Sequence, residues 1–468
     1  MKQALSIAAL VAITLSANAQ SILPGNWEGK LDAGSVTLRM VLKVQEADGK
    51  YSGLLSSPDQ GVSNIPIGPV QLKGDSVFFS AGPNANYEGK LNSEAINGVW
   101  HQNGMTFPLD LAKTEKPSEV VRPQTPVPPF QYESEDVSFT NADKSITYGG
   151  TITIPRTPGA KPALLLITGS GAQNRDEELA GHKPFAVIAD YLTNKGYIVL
   201  RVDDRGVGKT TGSRKTATSD DYAKDANAAI DYLKSRKEVN PKKIGIMGHS
   251  EGGMIAPMVA ASRNDIDFII LEAGPGVKIY ELMEDQSAAS LESEGMPAGI
   301  VADYRKLYRG FEQSLITGTS EADVRNKMNE VMKAWLKVAK PGSIEIVGTT
   351  DSARAKFIAD FVEIYNDKWF MYFLKYDPQP TLEKLKCKVL AINGSRDIQV
   401  LPKSNLDGIR QSLVKSKSKK YDVIELEGLN HLFQECNKCT VAEYGTLDQT
   451  ISPKALSTIS DWLDKNVK

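Results

Sequence analysis

At 468 residues, with 41% apolar and 24% charged side chains, the chain is long enough for two cores and has the balance of a globular protein, not a fibrous or disordered one. A formal net charge of −2 offers no broad attraction to phosphate backbones or anionic membranes, so nucleic acid is not an expected partner.

Residues 1–19 read as a signal peptide. Lys2 forms a basic start, residues 4–15 are almost wholly apolar, and Ala17-Asn18-Ala19 sets small residues for cleavage before Gln20. The apolar run is too short to span a bilayer and no run of about eighteen apolar residues follows, so no membrane anchor is expected. Export to a periplasmic or extracellular location is the expectation, and loss of Lys2 leaves 54 basic residues against 57 acidic ones.

Residues 20–113 read as an all-β domain. Val36, Leu38, Met40, Leu42 and Val44 alternate at period two, and shorter runs follow at 51–55, 76–80, 87–91 and 98–100, separated by Gly, Pro, Asn and Asp. That spacing predicts an antiparallel barrel or sandwich, and the opening Gly25-Asn26-Trp27-Glu28-Gly29 resembles a lipocalin-type start. Trp27, Trp100 and Phe107 are candidates to line a carbohydrate or lipid site, against the plainer reading that aromatics in a small β domain form its core. Pro117, Pro123, Pro126, Pro128 and Pro129 then favour polyproline II geometry, so 114–131 reads as a semi-rigid linker.

From 132 to 468 strands alternate with helices. Candidate strands lie at 134–140, 146–154, 163–168, 197–202, 243–247, 268–271, 388–392 and 421–426; candidate helices include 184–195, 220–236, 254–262 and 453–465. This alternation predicts a doubly wound α/β sheet. One long connection, about 276–380, is rich in Glu, Lys, Ala and Leu and reads as a helical cap inserted after the sixth core strand.

The chemistry concentrates at three strand ends. Gly248-His249-Ser250-Glu251-Gly252 matches Gly-x-Ser-x-Gly between an apolar strand and a helix, the setting of a nucleophile elbow. A serine hydroxyl needs a base, and only four histidines exist. His249 adjoins the serine and should point away from it, His101 belongs to the β domain, and His182 lies in the loop after the 163–168 strand. His431, directly after the strand at 421–426, remains as the base, and Asp397, after the strand at 388–392, is the candidate to orient it. The order Ser, Asp, His is the one this elbow accompanies. For the oxyanion, the N–H of Glu251 is one expected donor and that of Ser170 or Gly171 the other.

Other patterns point elsewhere. Gly169-Ser170-Gly171 lacks the third glycine of a dinucleotide fingerprint, and Gly206-Val207-Gly208-Lys209-Thr210 lacks the first glycine of a phosphate loop. Asp203, Asp204 and Arg205 read as a polar loop beside the site, with a structural ion pair preferred to substrate contact. No metal-ligand cluster of catalytic spacing occurs, so neither a metal nor a cofactor is expected. Cys436 and Cys439 are positioned to close a small disulfide loop, and Cys387 reads as a buried thiol.

Taken together, residues 168–176, 203–208, 248–253 and 430–433 resemble bacterial α/β-hydrolases of the EstD-like carboxylesterase group, from about Tyr132 to the C-terminus. The resemblance implies a serine carboxylesterase acting on short acyl chains, with Ser250, Asp397 and His431 as its triad; a small-molecule or glycan-linked ester is the expected substrate. It does not account for the N-terminal β domain. A serine exopeptidase or a thioesterase on the same fold is the enzymatic alternative, a ligand-binding β domain the other. Oligomeric state is not legible.

Overall fold

The computed structural model describes residues 22–32, 37–119 and 122–468; the segment read as a signal peptide, and Val36, lie outside the described residues. The chain forms two compact units, Met1–Val120 and Val121–Lys468.

The first unit is built on β1 (Gly25–Asp32), β2 (Thr37–Ala47), β3 (Lys50–Ser57), β4 (Val62–Pro66) and β5 (Gln71–Lys73). It continues through β6 (Ser76–Gly82), β7 (Ala85–Leu91), β8 (Ala95–Gln102), β9 (Met105–Pro108) and β10 (Leu111–Thr114). All belong to one sheet, ordered β4-β3-β2-β1-β10-β8-β7-β6-β5, with β9 paired on β8. A bridge from Tyr51 of β3 to Val70, just before β5, links the two ends, so the sheet curls back on itself. One closed-over sheet, not two stacked ones, replaces the sandwich alternative. The curl lets one face of each strand bury its side chains together: Trp27, Leu42, Phe79 and Tyr87 are completely buried. Trp27 and Trp100 fill this interior and Phe107 packs against it, so these aromatics form the core.

The second unit carries a sheet of eight strands: β11 (Glu133–Thr140), β12 (Thr147–Ile154), β13 (Lys161–Ile167), β14 (Ile198–Val202), β15 (Val239–His249), β16 (Phe268–Glu272), β17 (Lys388–Gly394) and β18 (Tyr421–Leu426). Their order is β11-β12-β14-β13-β15-β16-β17-β18. The β11–β12 and β12–β14 pairs are antiparallel and the others parallel. Helices α1 (Pro184–Asn194), α2 (Ser219–Ser235) and α3 (Glu251–Ser262) separate the central strands. Between β16 and β17 come α4 (Ile279–Ser293), α5 (Ala298–Thr317), α6 (Glu321–Leu336), α7 (Pro341–Val347), α8 (Asp351–Ile364), α9 (Lys368–Leu374) and α10 (Gln379–Leu382). The chain ends with α11 (Pro402–Lys415) and α12 (Pro453–Asn466) on either side of β18.

Why the central strands read as unbroken apolar runs is visible in β13. Leu164 and Leu166 pack with α1 and α12, whereas Ala163 and Leu165 pack with α2, α3 and α11. A strand covered on both faces has no polar side, and each fully buried leucine contributes roughly 2–3 kcal/mol. The cap has its own core: α5 buries Val301, Tyr304, Leu307, Phe311 and Leu315, three or four residues apart on one stripe.

The proline-rich stretch is only partly a spacer. Arg122 Nη2 donates to the carbonyls of Ala180 and Gly445, both at 2.8 Å, and Gln124 Nε2 to that of Ile451 at 2.8 Å. The expected linker is corrected accordingly: residues from 122 onward belong to the second unit, because their side chains satisfy its loop carbonyls.

Candidate active site

The parallel registers bring Gly248 level with Ile167 and His249 level with Glu272, so β13, β15 and β16 end along one edge. Ser250 stands there with φ 53° and ψ −116°, a left-handed conformation for a residue bearing a Cβ. Such a position costs about 1–3 kcal/mol and persists only where its surroundings enforce it. The Ser250 N–H donates to the Glu272 carbonyl at 2.8 Å, and its carbonyl accepts from Gly253 N–H at 2.9 Å. The flanking glycines are required by contact: a Cβ on Gly248 would sit 2.0 Å from the Gly252 carbonyl oxygen, and one on Gly252 2.2 Å from that of Ile167.

Asp397 and His431 meet at the same edge. Residues beyond β17 and β18 carry them there, where Gly394 pairs with Leu426. His431 Nδ1 lies 2.8 Å from Asp397 Oδ2, with both residues buried. Asp397 Oδ1 accepts the N–H groups of Gln399 at 2.8 Å and Val400 at 3.0 Å, which fixes the plane of the carboxylate. The Asn430 side chain accepts from Leu432 N–H at 3.0 Å and Gln434 N–H at 2.9 Å, closing the turn that carries the histidine. A carboxylate at Nδ1 puts the proton there and leaves Nε2 as the free acceptor. Among the described residues the Ser250 hydroxyl makes no hydrogen bond, to His431 or to any other group; in hydrolases this contact commonly tightens only around substrate.

Among the described residues the N–H groups of Ser170 and Gly171, in the loop after β13, and of Glu251, next to the elbow serine, make no hydrogen bond. Gly169 N–H is taken, donating to Glu177 Oε1 at 2.6 Å. Gly169, Gly171 and Glu251 line one small cavity beside the elbow.

The strand order, the strained serine between strand and helix, and the imidazole–carboxylate pair at neighbouring strand ends are those of one fold. Comparison agrees. The family described as serine aminopeptidase, S33, matches residues 182–336. Esterase EstD of Thermotoga maritima is 27% identical over 343 residues, covering 72% of this chain and 69% of that protein. The second unit has the α/β-hydrolase fold. The Escherichia coli O157:H7 protein YfhR is 26% identical over 147 residues, 31% of this chain and 49% of YfhR. The crystal structure of Pyrococcus furiosus esterase Pf2001 superposes with a TM-score of 0.44 at 15% identity, covering 74% of this chain and 98% of that one.

Side chains that the motifs do not announce surround the candidate site. Glu251 is buried, which pushes its carboxyl upward, and its Oε1 accepts from Ser219 Oγ at 2.6 Å and from Trp369 Nε1 at 2.8 Å. Trp369 belongs to α9, so the cap is fastened to the residue that follows the elbow serine. Trp369→Phe keeps the ring stack on Phe373, 5.4 Å between centroids, but removes the indole donor. It is expected to lower stability by about 1–2 kcal/mol, measured as a reduced urea midpoint with unchanged slope.

The polar loop braces the loop that follows β13. Arg175 Nη2 pairs with Asp203 at 2.6 Å, and Asp203 also accepts the N–H groups of Arg175 at 2.9 Å and Lys209 at 3.0 Å. Asp204, pushed up to about 7 by burial, accepts from Thr168 Oγ1 at 3.1 Å and Gln173 N–H at 2.9 Å. Arg205 pairs with Asp225. His182 is engaged elsewhere: it is wholly buried between Thr450 Oγ1 and the Tyr444 carbonyl, each at 2.9 Å, and burial lowers it to about 4. Cys436 and Cys439 are joined as a disulfide, and burial pushes the half-buried Cys387 thiol up to about 12. Sequence reasoning passed over Glu177 and Trp369, and weighed His249 only as a base.

Proposed function

We propose that the chain is an exported serine carboxylesterase that hydrolyses short acyl esters, of small molecules or of glycans, through Ser250, His431 and Asp397. The reading rests above all on the His431–Asp397 hydrogen bond of 2.8 Å at the sheet edge that also carries the strained Ser250.

In this mechanism Ser250 Oγ attacks the ester carbonyl while His431 Nε2 takes its proton, and Asp397 stabilises the imidazolium that results. The N–H of Glu251, with that of Ser170 or Gly171, holds the oxyanion. Collapse expels the alcohol, which receives the proton from His431. Water, deprotonated by the same imidazole, then attacks the acyl-enzyme and releases the acid, restoring Ser250.

Export is supported by the basic start, apolar run and small-residue cleavage site of residues 1–19 and by the Cys436–Cys439 disulfide, which suits an oxidising compartment. The match to the family described as serine aminopeptidase favours a second reading, cleavage of an aminoacyl amide. Against it, the carboxylate of Glu251, within the elbow motif, already accepts two side-chain hydrogen bonds, which leaves it poorly suited to anchor an ammonium group. The test is a panel of p-nitrophenyl acyl esters against aminoacyl p-nitroanilides. Rapid turnover confined to acetyl and butyryl esters is expected; turnover confined to the anilides overturns the ester reading.

A further inference from the structure

We infer that His249, inside the elbow motif yet not a base, is a positioning residue whose doubly protonated ring ties the oxyanion loop, the elbow and the His431 loop into one unit. The inference rests on the triad reading and deepens it. His249 Nε2 lies 3.0 Å from the backbone carbonyl of His431, and Nδ1 lies 3.0 Å from Glu177 Oε1. A carbonyl oxygen can only accept, so Nε2 carries a proton. Glu177 Oε1 already accepts the Gly169 N–H at 2.6 Å, so it acts as acceptor toward Nδ1 as well. With an acceptor at each ring nitrogen, the neutral imidazole leaves one contact facing a lone pair, and only the imidazolium satisfies both.

The surroundings supply the charge this needs. Glu177, from the loop between β13 and α1, and Glu272, at the end of β16, are both buried against the ring. Burial alone would lower the imidazole, but these carboxyls and the His431 carbonyl outweigh it and set it at about 9. Glu272 is itself pushed up to about 8 by burial, with Oε1 lacking a hydrogen-bond partner among the described residues. His431, whose ring centroid is 4.8 Å away, is the remaining titratable neighbour; α1 and Phe433 contribute apolar groups. The cation is thus spent on geometry: it fixes the main chain that carries the base and, through Glu177, the first N–H of the oxyanion loop.

As pH rises through the deprotonation of His249, the His431 carbonyl or Glu177 loses its donor and the base drifts. Profiles of kcat against pH for p-nitrophenyl acetate, with spontaneous hydrolysis subtracted, should show an alkaline limb in the wild-type protein. Glu177→Gln removes the anion but keeps the acceptor, and should move that limb toward neutrality by about one pH unit. His249→Ala should cost about 10²-fold in kcat, with KM within about threefold and no such limb. If His249→Ala does not fold, the Glu177→Gln profile decides alone. Superimposable wild-type and Glu177→Gln profiles, or a folded His249→Ala with wild-type kcat, overturn the inference. Ser250→Ala separates the two readings: an active Ser250→Ala defeats the triad itself, whereas an inactive one with unresponsive His249 and Glu177 variants defeats only the positioning role.

Discussion

Ser250→Ala is expected to reduce turnover of p-nitrophenyl acetate by about 10⁶-fold while the protein stays folded. The second half of that expectation follows from the site. The Ser250 hydroxyl makes no hydrogen bond among the described residues, so its removal orphans no partner, and alanine at φ 53° carries the same backbone strain as serine. The change in stability should therefore stay within about 0.5 kcal/mol. Loss of activity with an unchanged melting temperature isolates chemistry from folding. Residual turnover within about tenfold of the wild type would show that water reaches the ester without this nucleophile. A fluorophosphonate reagent gives an independent reading, since it should add one equivalent to the wild-type chain and none to the variant.

What could be read from the sequence was what the backbone enforces locally. Gly248 and Gly252 are legible because each meets a main-chain oxygen at a distance that excludes a Cβ, and the strand-to-helix setting follows from the apolar run that precedes them. The parallel sheet was legible for the same reason: β13 is apolar at every central position because helices cover both of its faces. The curl of the N-terminal sheet was not, because it depends on Tyr51 meeting Val70, a pairing that alternation at period two does not encode. The start of α2 carries a readable signal, the Thr218–Asp221 capping box.

Around the serine the illegible part is long-range and polar. Glu177 and His249 are 72 residues apart, and Trp369 reaches Glu251 across 118. Nothing in a loop carboxylate or a cap tryptophan marks its partner in advance. His249 was set aside as a base because its side chain should turn away from Ser250. Where it turns to, under the His431 carbonyl, depends on the register that sets β15 beside β16 and on the turn after β18. Elimination among four histidines leaves one candidate base, but it cannot assign work to those it discards.

Asp397→Asn tests the orientation of the base more sharply than deletion of the carboxylate would. Asp397 Oδ1 accepts two backbone N–H groups, from Gln399 and Val400, whereas Oδ2 faces His431 Nδ1. An asparagine must place its carbonyl oxygen toward the two backbone donors, since its NH₂ would oppose them. The amide NH₂ is then directed at His431 Nδ1 and donates to it. That hydrogen bond selects the tautomer with the proton on Nε2, the nitrogen required as acceptor for the serine proton. The side chain keeps its shape and all its hydrogen bonds, so the fold should be retained, yet kcat should fall about 10⁴-fold. KM should change little, because binding does not depend on which nitrogen is protonated. Steady-state kinetics with p-nitrophenyl acetate, alongside near-ultraviolet circular dichroism, measure both sides of this expectation. A folded Asp397→Asn protein with kcat within tenfold of the wild type would mean that the imidazole finds its productive tautomer unaided, and the carboxylate would lose its place in the mechanism.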